Sequence, residues 1–129
     1  MDINILVIGS GISGLTYAIK IAQQNPSLGI VMISKNTLLE SNTRYAQGGI
    51  AVVSNFKEDS FDKHIEDTVI AGAGECDQDV VKFVVKEGHD RLQELIDWGT
   101  HFDKQKNGLH LTKEGGHSEK RIVHHKDKT

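Results

Sequence analysis

The sequence has one cysteine, one proline and only 5% aromatic residues, and these scarcities already exclude several classes of protein. A single thiol, Cys76, cannot form an intramolecular disulfide, so the composition favours the cytoplasm over an oxidising compartment. The apolar run at residues 3–8 is too short to cross a membrane and lacks the flanks of a signal peptide. With 15 Lys+Arg against 18 Asp+Glu, the net charge of -3 gives no basic field for nucleic acid. The 129 residues, 37% of them hydrophobic, therefore predict one globular domain or part of one, without a membrane or nucleic-acid partner.

The first 35 residues have the pattern of a βαβ unit. The β-branched run 3–8 predicts a strand buried on both faces of a parallel sheet. Apolar residues at helical spacing follow from Ile12 to Ala22 and stop before Pro26. The second apolar run, 30–33, predicts a strand parallel to the first, reached by a right-handed crossover. We therefore expect an α/β fold of the Rossmann-like type.

A glycine motif lies between the first strand and the helix. Gly9-Ser10-Gly11-Ile12-Ser13-Gly14 fits G-x-G-x-x-G in the context that dinucleotide binding requires. Gly9 would permit the tight turn, Gly11 the close approach of a pyrophosphate, and Gly14 the close packing of helix on strand. The free N–H groups and the dipole of the helix N-terminus favour an anion at this position. The motif predicts a dinucleotide cofactor.

The sequence lacks the acidic residue that commonly follows such a motif by about 20 positions and binds the ribose hydroxyls. Ser34 and Lys35 end the second strand instead. An ammonium at Lys35 could serve a pyrophosphate or a 2′-phosphate, so from the residues alone NAD, NADP and FAD all remain open.

The rest of the chain divides by composition into three segments. Residues 36–59 read as a long functional loop containing Tyr45-Ala46-Gln47-Gly48-Gly49, whose glycines suit either a flat ring system or a plain hairpin. Residues 60–99 read as helices capped by Ser60 or Asp62 and by Asp77, interrupted or kinked at Gly88 and ended by Gly99. Residues 100–129 are polar, with one possible strand at 109–111.

Five of the seven histidines lie in the last segment, and four of them, His110, His117, His124 and His125, are grouped around and after Glu114. None of them has zinc-ligand spacing, so we predict no metal site and interpret the segment as polar and substrate-facing or surface. Phe83, Leu92, Leu95 and Trp98 are expected in the core.

Taken together, these motifs resemble the N-terminal part of the L-aspartate oxidase family. The resemblance rests on the glycine motif, Ser34-Lys35, the run Asn42-Thr43-Arg44-Tyr45-Ala46-Gln47-Gly48-Gly49, and the segments 64–68 and 71–74, so it covers nearly the whole chain. The family belongs to the flavoprotein superfamily that includes succinate dehydrogenase and fumarate reductase subunits. The resemblance therefore favours FAD over NADP, bound by the motif residues 9–14, Lys35 and residues 42–49. Because Asn42 stands where some members carry a flavin-linked histidine, it implies FAD without a covalent bond.

The resemblance also implies the reaction and its partners. These are oxidation of L-aspartate to iminoaspartate, hydride transfer to flavin N5, oxygen or fumarate as electron acceptor, and delivery of product to quinolinate synthase for NAD biosynthesis. Glu114, where dicarboxylate-specific relatives usually have an aromatic residue, is expected to orient the substrate ammonium. A soluble fumarate reductase or succinate-oxidising flavoprotein, or a small NADP-binding module, are the alternatives.

Family members are several times longer than this chain, which implies that it is an incomplete domain. The catalytic residues are then expected downstream of residue 129, and the isolated chain should bind FAD weakly and lack oxidase activity.

Overall fold

A computed structural model describes residues 2–46, 49–106 and 108–125. The chain divides into two compact units, Met1–Gln47 and Gly48–Thr129. Each is described by itself.

The first unit is the expected βαβ arrangement. Strand β1 (Ile5–Ile8) leads to helix α1 (Ile12–Gln24), and strand β2 (Ile30–Ile33) pairs parallel with β1, with Ile5 opposite Ile30 and Ile8 opposite Ile33. The N–H of Asn25 closes α1 by donating to the carbonyl of Ile21 at 2.8 Å, just before Pro26. A one-turn helix, α2 (Asn42–Tyr45), follows β2.

The expectation that β1 is buried on both faces is wrong for the part of this unit that the structure describes. Leu6 is 54% exposed and Ile8 79% exposed, whereas Val7 is buried. A strand is covered on both faces only when other elements flank both sides of its sheet. The described residues provide a two-stranded sheet and the single long helix α1, which leaves one face of β1 open.

The second unit combines two helices with short antiparallel strands. Strand β3 (Ile50–Ala51) pairs with β7 (Ile122–Val123), which pairs in turn with β6 (Leu111–Thr112), and β4 (Lys104–Gln105) pairs with β5 (Gly108–Leu109). The core consists of Val52, Leu92, Phe102 and Val123. The single strand expected at 109–111 is therefore wrong: Leu109 and Leu111 belong to different sheets, because the backbone N–H of His110 between them bonds to the carbonyl of Asp103.

Two helices, α3 (Phe61–Ala71) and α4 (Gln78–Asp97), begin at the predicted caps. Ser60 Oγ accepts from the N–H of Lys63, and the Asp77 carboxylate accepts from the N–H groups of Asp79 and Val80. Gly99, at a φ of +97°, ends α4 in the left-handed conformation, as predicted.

The predicted interruption at Gly88 is wrong, since α4 runs through it. Packing explains the continuity, because Val85 before Gly88 and Leu92 after it are both buried and hold the two halves of α4 to the second unit. Phe83, which we expected in the core, is instead 66% exposed and lies on the same outward stretch of α4 as Val80 and Val84. The same expectation is confirmed for Leu92, which belongs to the core, and for Leu95, which packs against it.

Candidate functional site

The glycine motif lies at the carboxyl edge of the two parallel strands. The N–H of Gly9 donates to the carbonyl of Ile33 at 2.8 Å, so the turn leaves β1 beside the end of β2. Gly9 has a φ of +105°, which a residue with a side chain rarely adopts. Gly9 therefore has the turn role that the motif predicts.

Gly14 and Gly11 need the absence of a side chain for different reasons. A Cβ at Gly14 would overlap the carbonyl oxygen of Gly9 and lie 3.3 Å from Val7 Cγ1, so the packing of α1 on β1 requires glycine there. A Cβ at Gly11 would meet only Thr43 Oγ1, at 3.7 Å. The fold itself does not require glycine at position 11, and the open space above it fits the close approach of a dinucleotide pyrophosphate.

The first turn of α1 is open to an anionic ligand in the way that the motif requires. The N–H of Ile12 donates to Thr43 Oγ1, and Gly11 at the N-cap has no side chain to cover the N–H groups that follow it in the first turn. Ser10 is buried, whereas Ile12 and Ser13 are exposed beside this end of the helix. The residues present therefore fit the pyrophosphate of FAD.

The structure brings the segment after β2 to the glycine turn. The N–H of Ile12 donates to Thr43 Oγ1 at 3.0 Å, which places α2 against the start of α1. Ser41 in turn caps α2 by accepting from the N–H of Arg44 at 3.3 Å. Two stretches of the proposed cofactor-binding set, separated by 31 positions, are thus adjacent.

The other proposed cofactor residues are exposed side chains. Lys35 follows β2 at the edge where the glycine turn lies, and Asn42, Arg44, Tyr45 and Ala46 are exposed on or beside α2. The guanidinium of Arg44 lies 5.9 Å from the centre of the Tyr45 ring. Gln47 and Gly48 lie outside the described residues.

Gly49, in the second unit, has a reason to be glycine that involves no ligand. A Cβ there would overlap Ile122 Cγ2 and would lie 2.7 Å from the carbonyl oxygen of Val123 and 3.0 Å from His124 Cε1. The backbone at Gly49 thus packs directly on β7. A role for Gly49 in flavin binding stays a prediction beside this structural one.

Glu114 lies in the loop that joins β6 to β7, which we call the β6–β7 hairpin (residues 111–123). Its side chain is 52% exposed, and its Oε1 lies 3.5 Å from Nε2 of His124. The same Nε2 lies 2.7 Å from Thr112 Oγ1. A carboxylate is thus presented to solvent beside an imidazole that is buried just beyond the hairpin.

A buried ion network fixes the hairpin to α3, and the sequence analysis did not predict it. Arg121 is completely buried and donates to both carboxylate oxygens of Asp59, from Nε at 2.8 Å and from Nη2 at 2.7 Å. Its Nη1 donates to Asp67, whose carboxylate also accepts from the N–H and Oγ of Ser118 at 2.7 and 2.8 Å. The position of Arg121 directly before the apolar pair Ile122-Val123 was the only local signal that it is buried.

The network perturbs the acidity of its members. Burial alone would raise the pKa of Asp67, but the hydrogen bonds from Ser118 and Arg121 outweigh it and lower the pKa to about 2. The pKa of Asp59 is likewise lowered, because the bonds from Arg121 and Ser60 exceed the effect of burial. Burial, Arg121 and His117 all lower the pKa of the neighbouring His64. The carboxylates are therefore charged and His64 is neutral at pH 7.

Two absences hold for residues 2–46, 49–106 and 108–125, the part of the chain that the structure describes. In that part of the chain no group of three or more His, Cys, Asp or Glu side chains is arranged to hold a metal ion. No helix there combines the length and the apolar character that crossing a membrane takes.

Comparisons with known proteins agree on the kind of domain. The family described as "FAD binding domain" matches residues 4–129. Among curated proteins, the chain is 44% identical over 132 residues to L-aspartate oxidase of Vibrio cholerae and 48% identical over 124 residues to the chloroplastic L-aspartate oxidase of Arabidopsis thaliana. These alignments cover 98% and 95% of this chain but only 24% and 18% of the relatives, so the chain spans about a quarter of their length or less.

Solved structures extend the likeness to the same flavoprotein group. The E. coli quinol fumarate reductase FrdA with the E245Q mutation superposes with a TM-score of 0.84 at 34% identity, over 95% of this chain and 21% of that one. Mycobacterium smegmatis Sdh1 in complex with UQ1 gives a TM-score of 0.82 at 29% identity, over 93% and 20%. The α/β class and the cofactor FAD, both expected from the sequence, are confirmed.

Proposed function

The chain belongs to the FAD binding domain family, and from that membership we propose that it is the N-terminal part of a longer flavoprotein that oxidises L-aspartate to iminoaspartate. The identity of 44–48% to the two L-aspartate oxidases named above supports this substrate. The structural observation that carries the proposal is the half-exposed carboxylate of Glu114, held beside His124 on the β6–β7 hairpin.

The first unit would hold the adenine dinucleotide portion of FAD. The backbone at Gly11 would approach the pyrophosphate, and the free N–H groups of α1 would stabilise its charge. Lys35 and residues 42–49 would complete the non-covalent cofactor site, with Thr43 already bonded to the start of α1. FAD, when bound, would serve as the acceptor of a hydride from the substrate Cα.

Glu114 would bind the ammonium of the amino-acid substrate. A carboxylate attracts an ammonium and repels a further carboxylate, so this residue discriminates aspartate from succinate by charge. The groups that hold the two substrate carboxylates and move protons would be supplied by sequence downstream of residue 129.

The wider assignments are proposals as well. We infer oxygen or fumarate as electron acceptor, quinolinate synthase as the consumer of the product for NAD biosynthesis, and the cytoplasm as the location. The single cysteine supports a reducing compartment. The chain spans only 24% and 18% of the two L-aspartate oxidases named above, which supports weak FAD binding and no oxidase activity in isolation.

A succinate-oxidising or fumarate-reducing flavoprotein is the second candidate. The TM-score of 0.84 to the fumarate reductase structure keeps this candidate open, because the fold of this region alone does not separate the two activities. The charge of Glu114 favours aspartate.

The test uses the longer flavoprotein of which this chain is the proposed N-terminal part, which we call the parent polypeptide. It is mixed anaerobically with FAD and then with L-aspartate or succinate while the absorbance of oxidised flavin is followed. Bleaching by L-aspartate alone is expected. Bleaching by succinate alone would move the assignment to the second candidate, and bleaching by neither would remove both.

A matched pair of glycine variants tests the cofactor site. Gly11→Ala meets no atom of the protein closer than 3.7 Å, so it should fold normally and bind FAD at least tenfold more weakly, if about 1.4 kcal/mol of pyrophosphate contact is lost. Gly14→Ala overlaps the carbonyl of Gly9 and should lower the unfolding temperature as well. Normal FAD affinity in Gly11→Ala would contradict the proposed site.

A further inference from the structure

The contact between Glu114, on the β6–β7 hairpin, and His124, directly after it, joins a half-exposed side chain to a buried one. Glu114 is 52% exposed, whereas His124 is 8% exposed. The imidazole follows β7, and the carboxylate lies in the loop after β6, so the antiparallel pairing of these strands brings the two side chains together. The position of Glu114 therefore depends on where the His124 ring is held.

The chemistry of the two side chains makes His124 Nε2 the donor. An ionised carboxylate only accepts hydrogen bonds, so the approach of Glu114 Oε1 to 3.5 Å is attractive when Nε2 carries a hydrogen. Thr112 Oγ1, at 2.7 Å from the same atom, accepts from it in that state. In this tautomer the N–H of Nε2 faces Thr112 Oγ1 at 2.7 Å as the shorter contact, and the Glu114 carboxylate lies beside the same donor at 3.5 Å.

Two features of the second unit hold the His124 ring in place. The backbone of Gly49 packs on its edge, since a Cβ at Gly49 would lie 3.0 Å from His124 Cε1. The hairpin that carries the ring is fixed to α3 by Arg121, whose guanidinium bonds to Asp59 and Asp67. The ring is therefore held in place beside a half-exposed glutamate.

We propose that His124 is a positioning residue that holds the Glu114 carboxylate ready for the ammonium of an amino-acid substrate, and so contributes to the selection of aspartate over succinate. This inference rests on the proposed function. Ordering a glutamate side chain before the substrate arrives removes an entropy cost from binding. Loss of the donor should raise KM for L-aspartate roughly threefold to tenfold.

The experiment compares His124→Phe with His124→Gln in the parent polypeptide. Phenylalanine keeps a ring of similar size without a donor, whereas the glutamine amide places an N–H near the position of Nε2. KM for L-aspartate and the inhibition constant of succinate are measured for each variant. We expect His124→Phe to raise KM for L-aspartate, while kcat and the inhibition constant of succinate stay within about twofold of the wild type. In His124→Gln, KM for L-aspartate should return to within about threefold of the wild type.

Controls separate positioning from structure. His110→Phe changes an exposed histidine of the same unit and should leave both constants unchanged. In a Glu114→Gln background, His124→Phe should have no further effect on the aspartate-to-succinate ratio, because its effect passes through the carboxylate. Should His124→Phe fail to fold, His124→Asn replaces it, since that amide reaches only the position of Nδ1.

The outcomes distinguish the inference from the function on which it rests. An equal rise of both constants in His124→Phe, or an undiminished effect in the Glu114→Gln background, would overturn the positioning role while wild-type aspartate oxidation stands. A wild-type protein that is not reduced by L-aspartate would instead refute the proposed function.

Discussion

Removing Arg121 should loosen the β6–β7 hairpin and α3 together. The guanidinium and the Asp59 carboxylate have side-chain exposures of 0% and 2%, and two hydrogen bonds of 2.7 and 2.8 Å join them across 62 positions of sequence. Arg121→Met keeps much of the side-chain volume but leaves the Asp59 charge buried without its cation. Breaking such a pair from one side costs about 3–5 kcal/mol, because the remaining ion has lost both water and partner.

The assay is amide hydrogen exchange followed by mass spectrometry in the parent polypeptide. A loss of about 3–5 kcal/mol in local opening free energy corresponds to exchange faster by roughly two to four powers of ten. The effect should concentrate in α3 (Phe61–Ala71) and residues 111–123, which the network joins. Lys82→Met is the control: its ion pair with Asp79 is exposed, so exchange should change by less than a factor of about five.

A double variant tests the physical reason. In Asp59→Leu with Arg121→Met, the buried Asp59 charge is gone and only the partly exposed Asp67 carboxylate has lost its cation, so the loss of protection should be smaller than in Arg121→Met alone. If the double variant is as unprotected as the sum of the two single variants, the penalty does not come from a stranded charge, and the reasoning is refuted.

Three further predictions concern stability. The pKa of Asp67 is about 2 in the folded protein, against an ordinary value of 3.8, so this carboxylate adds about 1–2 kcal/mol to the free energy of unfolding above pH 4. That contribution is lost as the pH falls towards 2, and thermal unfolding of Asp67→Asn should lack this part of the pH dependence. Gly88→Ala should raise the unfolding free energy by about 0.5–1 kcal/mol, since α4 is continuous and the new methyl meets Val52 at 3.6 Å, whereas a lower urea midpoint would mean that the helix does need glycine there. Asp77→Ala should cost about 1 kcal/mol, measured in the same way, because two N–H groups of α4 lose their acceptor; an unchanged midpoint would show that solvent replaces the cap.

Local patterns predicted the first unit well, because each of its features depends on neighbours in sequence. A β-branched run, a glycine turn and a helical repeat specify strand, turn and helix within a few residues. The caps at Ser60, Asp77 and Gly99 were predictable for the same reason. Gly88 was mispredicted because a general cost of glycine in helices was outweighed by packing along α4.

The site was only partly predictable. The glycine motif predicts a dinucleotide site at the start of α1. The contact of Ile12 with Thr43 joins positions 31 apart, and no local pattern encodes it. The family resemblance singled out Glu114, whereas its neighbour His124 was not singled out, because antiparallel strand pairing decides which side chains meet.

The sequence by itself determined the βαβ unit, the glycine turn and the helix caps, because hydrophobic period, backbone freedom and side-chain capping are local properties of the chain. Tertiary structure alone decided that Arg121 is buried. A charged residue is solvated unless distant partners replace its water, and the carboxylates of Asp59 and Asp67 do so only once α3 and the β6–β7 hairpin have come together.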